Sequence, residues 1–313
     1  MKNRLWTGVI AFFSFWFLFV SVISADAVPG EVVVTLGEDL NAEQRGNLLN
    51  EMGVEEEGTE IIYVSNEEEH HYLGNYISAN IIGSRALSSS KITLLSSGEG
   101  INVETNRITW VSEGMYANAL VTAGVQDADV YVTAPFDVSG TGALTGLIKA
   151  YEASADVEIP EEQKQVANEE LVKTADLGEK HGVEQASELM ARIKEAIAEE
   201  DVETEEDLRA LIQRLANELG MELTDSELDG LVSLFNRMKD LNIDWDQVRT
   251  QLNSIRDNLS EFVNSEEGQG LIQSILDFFS RLIEAIRGWL SSSEAILPGN
   301  IDAAKGIEER IKL

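Results

Sequence analysis

The chain has 313 residues, of which 23 are Lys or Arg and 56 are Asp or Glu, a formal net charge of −33 at pH 7. So acidic a balance repels nucleic acid and anionic membrane surfaces, because both are held through Lys and Arg, and no nucleic-acid partner is expected. Cysteine is absent, which excludes disulfides, a thiol nucleophile and a lipid anchor on cysteine.

Met1 to Arg4 form a basic start, residues 5–23 are apolar and rich in aromatics, and Ser24-Ala25-Asp26-Ala27 supplies small residues before a cut. That order reads as a signal peptide over 1–27. The apolar stretch approaches the length that spans a bilayer, but Ser14, Ser21 and the Ala-Asp-Ala box favour cleavage over retention as an anchor. The remainder is expected to be extracellular, with association to the cell envelope as a variant of that location.

Residues 28–156 read as an α/β domain with a mixed sheet, because strand-like and helix-like stretches alternate. Residues 31–36 are a β-branched run suited to a buried strand. Asn41 and Gln44 have capping-box spacing and open a helix to about Met52. A second strand is expected at 60–65 and a helical stretch at 67–86. Residues 91–95 and 101–105 flank Ser-Ser-Gly-Glu-Gly and predict a hairpin or a pair of neighbouring strands, with β character continuing through 108–111. A helix at 113–123, a strand at 129–134 and a helix at 143–153 complete this part.

Residues 157–292 read as an acidic helical bundle, and the fold class as a whole is α+β. Pro160 suits a first helical turn, and Thr204, Thr224 and Asp244 each stand three residues before an acceptor, as helix starts prefer. One apolar face holds Leu208, Leu211, Ile212, Leu215 and Leu219. A second holds Leu228, Leu231, Val232, Phe235 and Met238, and a third Val248, Leu252, Ile255, Leu259 and Phe262. A last helix, 271–290, is apolar except for a narrow stripe containing Asp277, Arg281, Glu284 and Arg287. It suits burial in its own bundle or docking to a partner. Residues 293–313 are a tail.

Few residues point to chemistry. His70 and His71 diverge by about 100° on a helix, and with Glu67 they fall short of a zinc site; surface exposure is expected for both. Asp225 to Gly230 and Asp240 to Asp246 lack the bidentate twelfth carboxylate of a calcium loop and serve as helix starts. The runs Glu55-Glu56-Glu57, Glu67-Glu68-Glu69 and Glu199-Glu200-Asp201 read as solvated faces. No metal, cofactor or catalytic residue is assigned. The candidate ligand-binding residues are Ser139, Gly140, Thr141 and Gly142, between a strand and a helix, where backbone N–H groups and the helix N-terminus suit a small anion. The alternative is a capped junction with Ser139 or Thr141 as the cap.

The segments Met115 to Gly124, Asp127 to Val130 and Ala134 to Gly146 together resemble the central motif of the YpuA-like family of secreted Gram-positive proteins of unknown function. Thr35 to Leu40 and Asn242 to Trp245 fit the same family. The resemblance implies secretion and one family domain over nearly the whole chain, and it carries over no activity. The expected function is a non-catalytic extracellular or envelope binding protein with an unidentified protein or envelope partner, with self-association left open. The alternatives are a carboxylate-dependent hydrolase of envelope polymers and an anion binder at Ser139–Gly142.

Overall fold

The structure, a computed structural model, describes residues 28–200 and 202–264. The expected signal peptide, the helix at 271–290 and the tail at 293–313 lie outside the described residues, as do the side chains of Leu259 and Phe262.

The consecutive valines of β1 (Val32–Gly37) are buried from Val33 to Leu36. Such a run suits a strand covered on both faces. It pairs in parallel with β2 (Glu60–Val64) and antiparallel with β3 (Ser89–Leu94). Next to β3 runs β5 (Ala128–Val138), antiparallel to it and parallel to β4 (Ile101–Ile108) on the edge. The sheet is therefore mixed, in the order β2-β1-β3-β5-β4. This corrects the expected pairing of 91–95 with 101–105, because β5 stands between them. Asp127 makes the insertion fit: its Oδ1 accepts from the backbone N–H groups of Gly98 and Gly100 at 3.0 and 2.8 Å, closing the turn that carries the chain past β5.

Local signals placed the helices. α1 (Ala42–Glu51) has the reciprocal Asn41/Gln44 capping box. The single helix expected at 67–86 is instead two pieces, α2 (Asn66–Leu73) and α3 (Ala79–Ile82), separated at Gly74. β character stops at Ile108, and the amides of Trp110 and Val111 donate to the Ser139 carbonyl. α4 (Glu113–Ala123) follows β4, and α5 (Thr141–Ala155) follows β5. Pro160 is the cap residue just before α6 (Glu161–His181) rather than a member of its first turn. Gly182 separates α6 from α7 (Val183–Glu199). Capping boxes at Thr204 and Thr224 open α8 (Glu205–Glu218) and α9 (Asp225–Asp240). The Asp244 carboxylate accepts from Gln247 N–H at the start of α10 (Trp245–Asn264).

α4 and α5 cover one face of the sheet, and residues of α6 and α10 join the same core through Leu171, Val248 and Leu252. α1 covers part of the opposite face over Val34 and Leu36. A second core is built by α6 to α9, with Leu208, Ile212, Leu231, Phe235 and Met238 inside it. α6 thus borders both cores. No helix of the described residues is long and apolar enough to cross a membrane.

Candidate functional site

β5 hands over to α5 through Ser139 and Gly140. Gly140 has φ +91°, where a side chain is strained. A Cβ there would stand 2.4 Å from Ile108 Cγ2 and 2.6 Å from the Tyr116 hydroxyl. That hydroxyl, fully buried, donates to the Gly140 carbonyl at 2.5 Å. The turn is locked from behind by α4 and β4. Ser139 Oγ and Thr141 Oγ1 lie 3.3 Å apart, and no side chain caps the first turn of α5. Neither hydroxyl takes the cap role considered for it.

Gly142 admits a different neighbour. A Cβ on it would lie 1.9 Å from Oε1 of Glu69, so the Glu69 carboxyl is packed directly on the first turn of α5. Glu69 is 3% exposed, against the expectation that the run Glu67-Glu68-Glu69 is solvated. The reason is helical geometry. Glu67 faces out, Glu68 caps Ser65 and pairs with Lys149 at 2.6 Å, and Glu69 turns inward on the side of Leu73. Burial pushes the Glu69 carboxyl up to about 8, nearby Asp39 adds to the rise, and a hydrogen bond from Asn66 opposes it. Among the described residues no ion pair engages it. At neutral pH it is mainly a carboxylic acid, able to donate a hydrogen bond.

These groups meet in a cleft of about 520 Å³ lined by Glu69, Arg85, Trp110, Asp137, Ser139 and Thr141, among others. Of the four residues expected from the sequence, Ser139 lines the cleft half-buried, Thr141 borders it but is only 1% exposed, and Gly140 and Gly142 are buried and let its floor close up. Residues 83–88 form a wall that is tied down at two points by three contacts. The His70 ring lies 3.1 Å from the Gly83 carbonyl, Asn66 donates to the same oxygen, and the Ala86 amide donates to Asp39 at 2.8 Å. His70 is therefore a half-buried brace, not a surface histidine, whereas His71 is exposed beside Glu161. At the rim Arg85 stands 5.9 Å from the Phe136 ring centroid, and the Trp110 indole N–H donates to Glu179 of α6. Among the described residues no group of three or more His, Asp or Glu side chains is placed to hold a metal ion.

Sequence reasoning missed Glu69. The only signal for it was its place one helical turn before the apolar Leu73, a spacing that puts both on one face.

The family model described as "Protein of unknown function (DUF1002)" matches residues 36–255. The chain is 49% identical over 285 residues to "Uncharacterized protein YpuA" of Bacillus subtilis (strain 168), covering 91% of this chain and 98% of that one. No solved structure matches. The resemblance read from residues 115–146 is thus upheld by similarity along most of the chain.

Proposed function

Because the chain belongs to this family of proteins of unknown function, which brings no activity with it, we propose its role from the cleft: an exported, non-catalytic binding protein that takes a neutral, hydroxyl-rich ligand of the sugar-chain type. The observation that carries this reading is the buried Glu69 carboxyl on the cleft floor, against Gly142. A protonated carboxyl offers a donor and an acceptor to a neutral hydroxyl or amide, and the half-buried Ser139 adds a hydroxyl in the same cleft. Asp137 in the same cleft weighs against the anion reading of Ser139–Gly142, since a bound anion would face a second acidic side chain there. Export is supported by the basic, apolar and small-residue order of residues 1–27.

Binding is tested by NMR titration of labelled protein with a tetramer of N-acetylglucosamine at pH 6. Shifts should cluster at Ser139, Thr141 and Gly142, and Glu69→Leu, which removes both the donor and the acceptor, should weaken binding about tenfold, the worth of one well-made hydrogen bond, while Glu69→Gln, which keeps both, should bind nearly as well as the wild type. Shifts scattered elsewhere, or larger ones with inorganic phosphate, would reject the ligand class. Asp137 in the same cleft favours the carboxylate hydrolase as the second reading, a neutral acid beside a second carboxyl being what glycoside cleavage uses. Release of shorter sugars by the wild type but not by Glu69→Gln would replace binding with hydrolysis. Export is tested by mass spectrometry of culture supernatant for a chain starting at Val28.

A further inference from the structure

A second concavity, a groove of about 690 Å³, lies between the first half of α4, the start of α7 and α10. Its walls are mostly apolar, with Ala117, Ala191, Leu252 and Ile255 along them, and Val183 at its edge is 41% exposed. At its floor Asn118 is 6% exposed. The Asn118 amide group donates to the Ser187 carbonyl at 3.0 Å, but its Oδ1 has no partner, and neither has the hydroxyl of Ser187. Unpaired buried polar atoms are rare and costly. Both atoms are enclosed between α4 and α7, below the trough, whose apolar surface suits an apolar cover.

The chain carries a matching segment. α10 is one wall of the groove, and the sequence continues from its last residue, Asn264, to Leu313. Residues 271–290, outside the described residues, combine Leu, Ile, Phe and Trp with the polar Gln273, Ser274 and Ser280 and with Arg281 and Arg287. Residues 265–270 include two glycines, which suit a reversal of direction. At about 1.5 Å per helical residue, Ile255 lies roughly 13 Å back from the end of α10, a distance well within the reach of the 49 residues that follow Asn264. Glu113, Glu184 and Arg256 stand on the groove rim, so it offers both signs to a segment that carries Arg281 and Arg287 together with Asp277 and Glu284. Glu188 on the same rim is already engaged by Arg192 at 2.6 Å.

We infer that residues 271–290 are the cover of this groove, laying their apolar side on Ala117, Leu252 and Ile255 with Arg281 and Arg287 toward Glu113 and Glu184. The inference stands apart from the cleft reading, which concerns another part of the surface. It assigns the most apolar stretch after residue 27 to a partner within the same molecule, leaving the acidic faces to solvent.

The absence of cysteine makes the test clean. In the full chain, Glu184→Cys is combined in turn with Ser280→Cys, Glu284→Cys and Arg287→Cys, and Arg209→Cys on α8 replaces Glu184→Cys as the control. Disulfide formation under mild oxidation is followed by mass spectrometry, with size-exclusion chromatography separating monomer from dimer. At least one groove pair should close within the monomer ten times faster than every control pair. Val183→Asp, at an exposed position, should slow that closure several-fold and raise binding of a hydrophobic dye. Equal rates for groove and control pairs would overturn the inference. So would disulfides formed only between two chains, the mark of a second copy in the groove, or closure abolished by neutral lipid vesicles, the mark of a segment that prefers a membrane.

Discussion

Glu69→Gln removes one ionisable proton and nearly nothing else, since the two side chains have the same shape. Burial holds Glu69 at about 8 in the folded chain against 4.5 for an unburied carboxyl. The folded state therefore binds this proton more tightly than the unfolded state. Stability contributed in the neutral form is complete below pH 4.5, falls as pH rises toward 8, and falls no further above it. At roughly 1.4 kcal/mol per pH unit the full loss is about 5 kcal/mol, and the part already lost at pH 7 about 3 kcal/mol, both upper limits. Glutamine never ionises and escapes this loss. Urea unfolding followed by tryptophan fluorescence at pH 5, 7 and 9, at constant ionic strength, measures it. The two proteins should agree within about 1 kcal/mol at pH 5, and the variant should be the more stable by several kcal/mol at pH 9. A difference that stays constant across these pH values, or a wild type that gains on the variant as pH rises, refutes the placement of Glu69 as a buried acid.

Glu51 has the opposite sign. Burial alone would raise its carboxyl, but hydrogen bonds from Arg107, Thr133, Tyr131 and Asn106 outweigh it and hold the group at about 2. This stabilisation is present above pH 4.5 and disappears as pH falls toward 2, so Glu51→Gln should cost about 2 kcal/mol at pH 7, allowing for solvent at a partly exposed pair, and little near pH 2 in the same unfolding assay. Lys194 is 1% exposed and donates to Glu170 and to the Asn118 carbonyl, both at 2.8 Å. Lys194→Met strands the buried Glu170 carboxyl and should cost about 3–5 kcal/mol by chemical denaturation, with most of it regained on adding Glu170→Leu. Gly140→Ala must hold φ +91° against Ile108 and Tyr116; a loss of about 2–4 kcal/mol is expected by thermal unfolding, and an unchanged Tm would mean that the turn is not locked.

The parts of the fold legible in the sequence are those decided by neighbours a few residues apart. The capping boxes at Asn41, Thr204 and Thr224 each use two residues three positions apart, and each is present. The apolar faces of α8 and α9 repeat every three or four residues, and Leu208, Leu211, Ile212, Leu231 and Phe235 are buried as that repeat requires. The Ser139–Gly142 junction was recognisable because its glycines stand between a strand and a helix. What made it a cleft was not recognisable, since Glu69 arrives from a helix some seventy residues earlier in the chain.

The sequence by itself determined the alternation of strands and helices, the starts of the helices and which side of each is apolar. All of these follow from backbone preferences and side-chain periodicity that act within a turn or two. Only the tertiary structure decided that β5 separates β3 from β4, that the 67–86 stretch breaks into α2 and α3, and that Glu69 is an acid enclosed against Gly142. A strand's partners and a carboxyl's solvent depend on groups far away in the chain, and no local pattern records which of them will come to lie alongside.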